Sequence, residues 1–347
     1  MNQENNIGKT INHAIYFINE VINFRKVPVE PTKYVILKNC GPAKLRFYSK
    51  NTIPGKNKYH LLLVPSLINK PYIFDLLRGR SFIEYLIEND VDVFLIDWGT
   101  PNQLGRYYSF DDYLTIFYHT FVEYIKNILD VPRINIMGYC IGGTLSFIYA
   151  SLYSNNVHSL INLTSPIDFS NAGILRKWVD VSGIQVENIV EAFGNIPPEF
   201  MYIVFSSLKP LNRLSALRYL IERVDDKDFV QFYIAMELWT SDNIPFPGKF
   251  GIKYINDFYK SNKLLNGELI IGDQFVKLKN YKGRFLNILS TNDHIVPLKS
   301  ASIAEELIGS SDIKSLYYNN VGHVGLMIGK FAKENTWKEV LVWLQEN

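Results

Sequence analysis

An α/β architecture, a mostly parallel central sheet with a helical cap inserted into it, is predicted by three observations. Short β-rich apolar runs alternate with helical patterns towards both ends of the chain. The alternation stops after Pro166 and resumes near Arg284. A strand-like run meets a helical one directly at Gly138-Tyr139-Cys140-Ile141-Gly142. Buried parallel strands covered on both faces by crossover helices read as continuous apolar runs of this kind.

Taken in order, residues 1–24 read as an amphipathic helix. They lack the basic start, apolar stretch and small-residue cleavage site of a signal peptide. Tyr34–Lys38 and Lys44–Tyr48 flank Gly41-Pro42 and predict an antiparallel hairpin. Apolar runs follow at Tyr59–Val64, Val91–Ile96, Arg133–Met137 and His158–Leu163. Helical patterns separate them at roughly Tyr72–Glu88, Phe110–Ile128 and Ile141–Ser154. From about Ser170 to Leu265 the pattern is helical and aromatic, broken at Pro197-Pro198 and Ile244–Gly248. Strand-like runs return at Arg284–Leu289 and Ile313–Tyr318, with a closing helix near Thr336–Gln345. The expected division is a core over 1–169, a helical cap over 170–265 between the sixth and seventh main strands, and the rest of the core over 266–347.

Composition narrows the function. With 347 residues, 47% of them hydrophobic, the chain can bury one large core plus an insertion. The 22 Tyr and 22 Phe would fill that core or line an apolar tunnel, and core is the commoner fate. A net charge of +2 without long runs of either sign gives nucleic-acid binding no electrostatic support. No stretch has the 18 apolar residues of a membrane span; His60–Ile68 is interrupted by Pro65 and Ser66. Cys40 and Cys140 form neither a disulfide framework nor part of a metal-ligand cluster, so a reducing cytoplasm and no metal are expected.

The strand–Gly-x-Cys-x-Gly–helix segment is a nucleophile elbow with Cys140 in the place usually held by serine, the mark of the α/β-hydrolase fold. At such a turn the backbone is strained, and side chains two residues before and after the nucleophile would collide, so Gly138 and Gly142 suit those positions. Gly143 would let the helix approach the sheet. A helix N-terminus at Cys140 favours a thiolate, and the Ile141 N–H is a natural oxyanion donor. A second donor is expected from the loop after the third strand, Pro65-Ser66-Leu67-Ile68, at Leu67. Cys40 has no such surroundings and reads as a packed thiol.

In this fold the nucleophile, acid and histidine follow in that chain order. Of the three histidines after Cys140, His323 lies between the last predicted strand and the closing helix, His158 starts a strand, and His294 follows the acid candidate. His323 is the expected base, and His294 reads as packed or as a group that supports the catalytic residues without touching substrate. Asp293, after the seventh strand, is the expected acid, orienting the imidazole and stabilising its charged form. Asp97 and Asp168 read as loop-fixing groups, and Asp242 falls in the cap.

With these residues in place, roughly residues 30–345 resemble the catalytic subunit of a two-subunit polyhydroxyalkanoate synthase. The resemblance rests on Val64–Asn69 followed by Pro71-Tyr72, on Ile96–Pro101, on Gly138–Thr144, and on Trp239–Gly248 in the cap. It continues through Asn262–Gly267, Asp293–Pro297 and Gly322-His323. With the first core strand beginning near Tyr34, the large N-terminal domain of single-chain synthases is expected to be absent, which resembles the short synthases. The resemblance implies polymerisation of (R)-3-hydroxyacyl-CoA, with 3-hydroxybutyryl-CoA the expected substrate and CoA released. It also implies a separate non-homologous subunit, a homodimer, and a place at the surface of cytoplasmic polyester granules. No cofactor is expected, because CoA enters and leaves with the substrate. Rival readings are a cysteine hydrolase of the same fold, of thioesterase or dienelactone type, and a catalytically inactive granule scaffold.

Overall fold

The computed structural model describes residues 27–181, 183, 185–207, 218–220 and 222–346. The helix expected over residues 1–24 lies outside them. Eight strands form the main sheet: β1 (Val35–Cys40), β2 (Ala43–Tyr48), β3 (Tyr59–Val64), β4 (Val91–Asp97), β5 (Ile134–Tyr139), β6 (Val157–Leu163), β7 (Arg284–Ser290) and β8 (Ile313–Tyr318). Their order is β1-β2-β4-β3-β5-β6-β7-β8. The first two pairings are antiparallel, and from β4 onward every neighbouring pair is parallel.

Side-chain alternation divides the core between the two faces of this sheet. Leu62 and Val64 of β3 join one cluster, and Leu61 and Leu63 join the other. On the first face lie the helices α2 (His119–Leu129) and α3 (Ile141–Leu152). On the second lie α1 (Phe82–Glu88) and the closing helix Thr336–Gln345, which buries Trp337 and Trp343. Helix α3 is buried from Ile141 to Ser151. A helix so enclosed holds its N-terminus firmly, and that N-terminus carries the residue of interest.

The helical pattern read over Tyr72–Glu88 is only half helix. Pro71–Phe74 forms a 3-10 turn, Asp75–Leu77 pairs antiparallel with Arg80–Ser81, and α1 starts at Phe82. The cause is local. Gly79 takes φ +73° at the turn, and buried Asp75 accepts hydrogen bonds from Ser81 Oγ and from Thr32 N and Oγ1. Ser81 also accepts from Glu84 N and so caps α1.

Between β6 and β7 the described chain is largely helical: α4 (Gly173–Val181), α5 (Val186–Phe193), α6 (Pro198–Ser207), α7 (Lys227–Ser241) and α8 (Gly248–Lys253). A π-helical turn, Tyr254–Lys260, continues α8. This region is tied to the loop after β3. Ile244 N donates to Ile68 O at 3.0 Å, and Trp239 Nε1 donates to Lys70 O at 2.9 Å.

Candidate active site

Three glycines make the turn at Cys140 possible. A Cβ on Gly138 would lie 2.3 Å from Gly143 Cα, and one on Gly142 would lie 2.1 Å from Val64 O. On Gly143 it would lie 1.7 Å from Ser165 Oγ. No L side chain fits these gaps, so β5, α3, the β3 loop and the β6 loop meet only around glycine. The strain is concentrated on Cys140, at φ 55° and ψ −128°, a conformation non-glycine residues rarely adopt. Its backbone N–H is held by Leu163 O at 3.1 Å. The thiol is half-buried and in no disulfide, as is that of Cys40.

His323 follows β8 and is buried. Its Nδ1 lies 2.7 Å from Asp293 Oδ2, and its ring stacks on Tyr139, centroids 5.0 Å apart. An ionised carboxylate only accepts, so Nδ1 carries the proton of this bond. Burial disfavours the imidazolium. The charge of Asp293 and that of Cys140, with hydrogen bonds to both, outweigh burial and raise the His323 pKa well above its ordinary range.

Asp293 is buried and fully engaged. Oδ1 accepts from Ile295 N at 2.9 Å and Val296 N at 2.8 Å. Oδ2 accepts from His323 and from the Thr164 hydroxyl. Burial alone would raise its pKa; the charge and hydrogen bond of His323, then Thr164 and Val296, bring it below the usual value. Thr164 went unnoticed in the sequence. It is β-branched yet sits at φ 46°, in the left-handed region, at the end of β6. Its one legible sign was position, directly after a central parallel strand at the sheet's carboxyl end, where sites of such folds gather.

Cys140 opens onto two cavities. One, of about 280 Å³, is walled by His323, Tyr139, Asn69, Lys70 and Trp239. The other, of about 110 Å³, runs beneath the helical region between β6 and β7 and is lined by apolar side chains such as Ile141, Val186, Phe200 and Phe246. Ile68 and Ile295 border both.

Ile141 is the first residue of α3, so its N–H has no intrahelical acceptor. Gly142 sits against the Val64 and Pro65 carbonyls, which brings that N-terminus beside the loop containing buried Leu67. His294 is not brought to the site: it is exposed and lines neither cavity, because the turn after β7 points Asp293 inward and its neighbour outward. Asp97 pairs with Arg46, Asp168 accepts from Ser170 and Asn262, and Asp242 accepts from Tyr72 and pairs with Lys70.

Residues 59–330 match the alpha/beta hydrolase fold family. A carboxylesterase from Nitrososphaera gargenis shares the fold with a TM-score of 0.52, over 90% of this chain and 99% of its own, at 13% identity. Paleococcus ferrophilus monoacylglycerol lipase does so at 0.51, over 87% and 98%, also at 13% identity. The chain is therefore an α/β-hydrolase-fold protein. Closer relatives define it further. The poly(3-hydroxyalkanoate) polymerase subunit PhaC of Allochromatium vinosum is 34% identical over 84% of this chain and 82% of its own length. That of Synechocystis is 30% identical over 98% and 85%. That of Haloferax mediterranei is 33% identical over 82% of this chain, but the match spans only 58% of the haloarchaeal protein. The chain belongs to the poly(3-hydroxyalkanoate) polymerase family, as a catalytic subunit of the acyltransferase type.

Proposed function

We propose that this chain polymerises (R)-3-hydroxyacyl-CoA, with 3-hydroxybutyryl-CoA as the unit, through a thioester on Cys140. The observation that carries the reading is the buried His323–Asp293 pair, 2.7 Å apart, with His323 and Cys140 walling one cavity. His323 Nε2 takes the Cys140 proton, and the sulfur attacks the acyl-CoA thioester carbonyl. The N–H groups of Ile141 and Leu67 hold the oxyanion while the C–S bond to CoA breaks, and CoA leaves as a thiol with the proton from His323. The 3-hydroxyl of one unit then attacks the acyl carbon of another. His323, steadied by Asp293, removes the hydroxyl proton; the thioester C–S bond breaks as the ester C–O bond forms, and the departing thiolate takes that proton back from His323.

Sulfur suits this sequence better than oxygen. Thioester exchange keeps the acyl group activated until the ester-forming step, so that step runs downhill. Water must be kept away, since hydrolysis ends the chain, and the helices over Cys140 supply that cover. A separate subunit and attachment to polyester granules belong to the same reading.

The test is CoA release from (R)-3-hydroxybutyryl-CoA by wild type and by Cys140→Ala, with and without a candidate partner subunit. Release that needs Cys140 and yields insoluble polyester is the expected outcome. Free 3-hydroxybutyrate as the sole product would instead make the chain a hydrolase.

A further inference from the structure

The smaller cavity holds a chemical anomaly. Its walls are apolar except for two phenols, Tyr254 and Tyr259, which are buried and edge-to-face with ring centroids 5.6 Å apart. The Tyr254 hydroxyl is buried and makes no well-formed hydrogen bond; the polar group beside it is the Tyr259 hydroxyl. An unpaired buried hydroxyl costs on the order of 1–3 kcal/mol, and phenylalanine in its place would relieve that penalty. Both tyrosines lie on the π-helical turn Tyr254–Lys260, a local departure from α geometry of the sort that gathers at functional sites. Both also lie near enough to Cys140 for its charge to bear on them; burial first, then neighbouring charges including Cys140, raise both phenol pKa values, so both are donors at neutral pH.

The cavity's size limits what it can take. An apolar cavity of about 150 Å³ takes up benzene, a molecule of six non-hydrogen atoms. A 3-hydroxybutyryl group also has six: four carbons, the carbonyl oxygen and the oxygen on C3. Bonded to Cys140, its carbonyl stays at the mouth beside Ile141, and the rest fits a space of about 110 Å³. The single oxygen on C3 then enters a chamber whose polar side-chain groups are the two phenols. We propose that this cavity is the acyl subsite for a short 3-oxygenated acyl group on Cys140, and that the Tyr254 hydroxyl, backed by Tyr259, donates to the oxygen on C3. This inference rests on the acyl-transfer reading above.

The experiment compares the second-order rate constant for the first CoA released, one per Cys140, from (R)-3-hydroxybutyryl-CoA and from butyryl-CoA, which lacks the C3 oxygen and so acylates Cys140 without extending a chain. It uses wild type, Tyr254→Phe, Tyr259→Phe and Cys140→Ala, each with the partner subunit. A site built around a substrate oxygen disfavours the analogue without it, because its own donor is then left unpaired. Wild type should therefore prefer the hydroxylated substrate, and Tyr254→Phe should reduce that preference at least about tenfold, the loss of one buried hydrogen bond. Tyr259→Phe should reduce it less. Because the Tyr254 hydroxyl makes no well-formed hydrogen bond in the free protein, Tyr254→Phe should not lower the Tm.

An unchanged ratio in Tyr254→Phe, with Cys140-dependent release intact, would overturn the subsite alone. So would an equal loss on both substrates, or a Tm lowered by several degrees, which would mark a structural hydroxyl. Release that survives Cys140→Ala would overturn the acyl-transfer reading together with the subsite.

Discussion

The two walls that meet at Cys140 are built on opposite principles. On the His323 side, hydrogen bonding is saturated: Asp293 accepts from two backbone N–H groups, one hydroxyl and one imidazole. On the helical side, the Tyr254 hydroxyl is buried beside that of Tyr259 without a well-formed hydrogen bond. A buried polar network that is complete fixes one geometry, and an incomplete one is costly unless something arrives to finish it. The first wall is therefore suited to moving protons between fixed atoms, and the second to receiving part of a substrate. The contrast also shows where each wall takes its rigidity. The His323 side hangs on β6, β7 and the turn after β8, and the other side on helices whose Phe250, Tyr254 and Phe258 pack into the main core against Phe110 and Phe169.

Breaking the saturated wall should have the largest effect. Asp293→Asn puts an amide where a carboxylate accepts from every side, and it no longer favours the Nδ1–H form of His323. In a Ser–His–Asp enzyme the equivalent change lowers kcat about 10⁴-fold. A loss of about 10³-fold or more in CoA release is expected here, with KM little altered, measured by steady-state kinetics. A loss below tenfold would show that Asp293 does not orient His323.

The same substitution has a pH signature. The His323 pKa is raised and that of Asp293 lowered. A raised histidine stabilises the fold fully below its unfolded value of about 6.5, and this contribution fades as pH climbs through the folded value. A lowered carboxylate contributes above its unfolded value of about 3.9 and loses that contribution as pH falls through the folded one. Both contributions are thus complete between about pH 4 and 6.5. The stability gap between wild type and Asp293→Asn should be widest there and narrow on the alkaline side. Urea unfolding at a series of pH values measures this, and NMR titration of His323 should show its pKa falling in the variant.

Thr164 tests the same wall more gently. Thr164→Val keeps the shape and deletes the donor to Asp293 Oδ2, and a bond to a charged group is worth about 1.5–3 kcal/mol. A fall in kcat of about tenfold is expected, with Asp293 titrating at higher pH. Thr164→Ser should restore both, since it keeps the hydroxyl and relieves the β-branch at positive φ. Equal rates for the two variants would leave Thr164 a purely structural residue.

What the sequence disclosed follows the same divide. Cys140 was legible because sterics force glycine at 138, 142 and 143, and glycine can be seen in a sequence. Asp293 and His323 were legible because chain order in this fold is constrained. The strands were legible because buried parallel strands are uniformly apolar. Thr164 was not, because its strain is imposed by long-range contacts and a threonine carries no sign of left-handed backbone. His294 looked relevant only as a neighbour of Asp293; along a turn, adjacent residues point to different sides. The Tyr72–Glu88 stretch misled because Ile73, Leu76, Leu77, Ile83 and Leu86 mimic a helical period, while the deciding event was Asp75 bonding to Thr32, 43 residues away. The two phenols were lost among 22 tyrosines, since burial without a well-formed hydrogen bond cannot be read from residue type.

The contact between the helical wall and the β3 loop yields the smallest predicted effect. Its grip on the β3 loop runs through Ile244 N to Ile68 O, Asn69 Nδ2 to Asn243 Oδ1, Trp239 Nε1 to Lys70 O, and the Lys70–Asp242 pair at 2.9 Å. That pair is half-exposed and contributes little. Trp239→Phe removes one neutral hydrogen bond, worth about 1 kcal/mol, and keeps an aromatic ring in the cavity wall. The other hydrogen bonds, that of Tyr72 Oη to Asp242 Oδ2 among them, remain, so the loop should loosen without detaching. Expected are a KM raised about two- to fivefold, corresponding to that one bond, and a smaller change in kcat. Hydrogen exchange should quicken in residues 66–72 and stay unaltered in residues 290–296, because the Asp293 network shares no partner with this contact. Equal quickening in both segments would mean that the two walls form one cooperative unit, and the contrast drawn between them would fail.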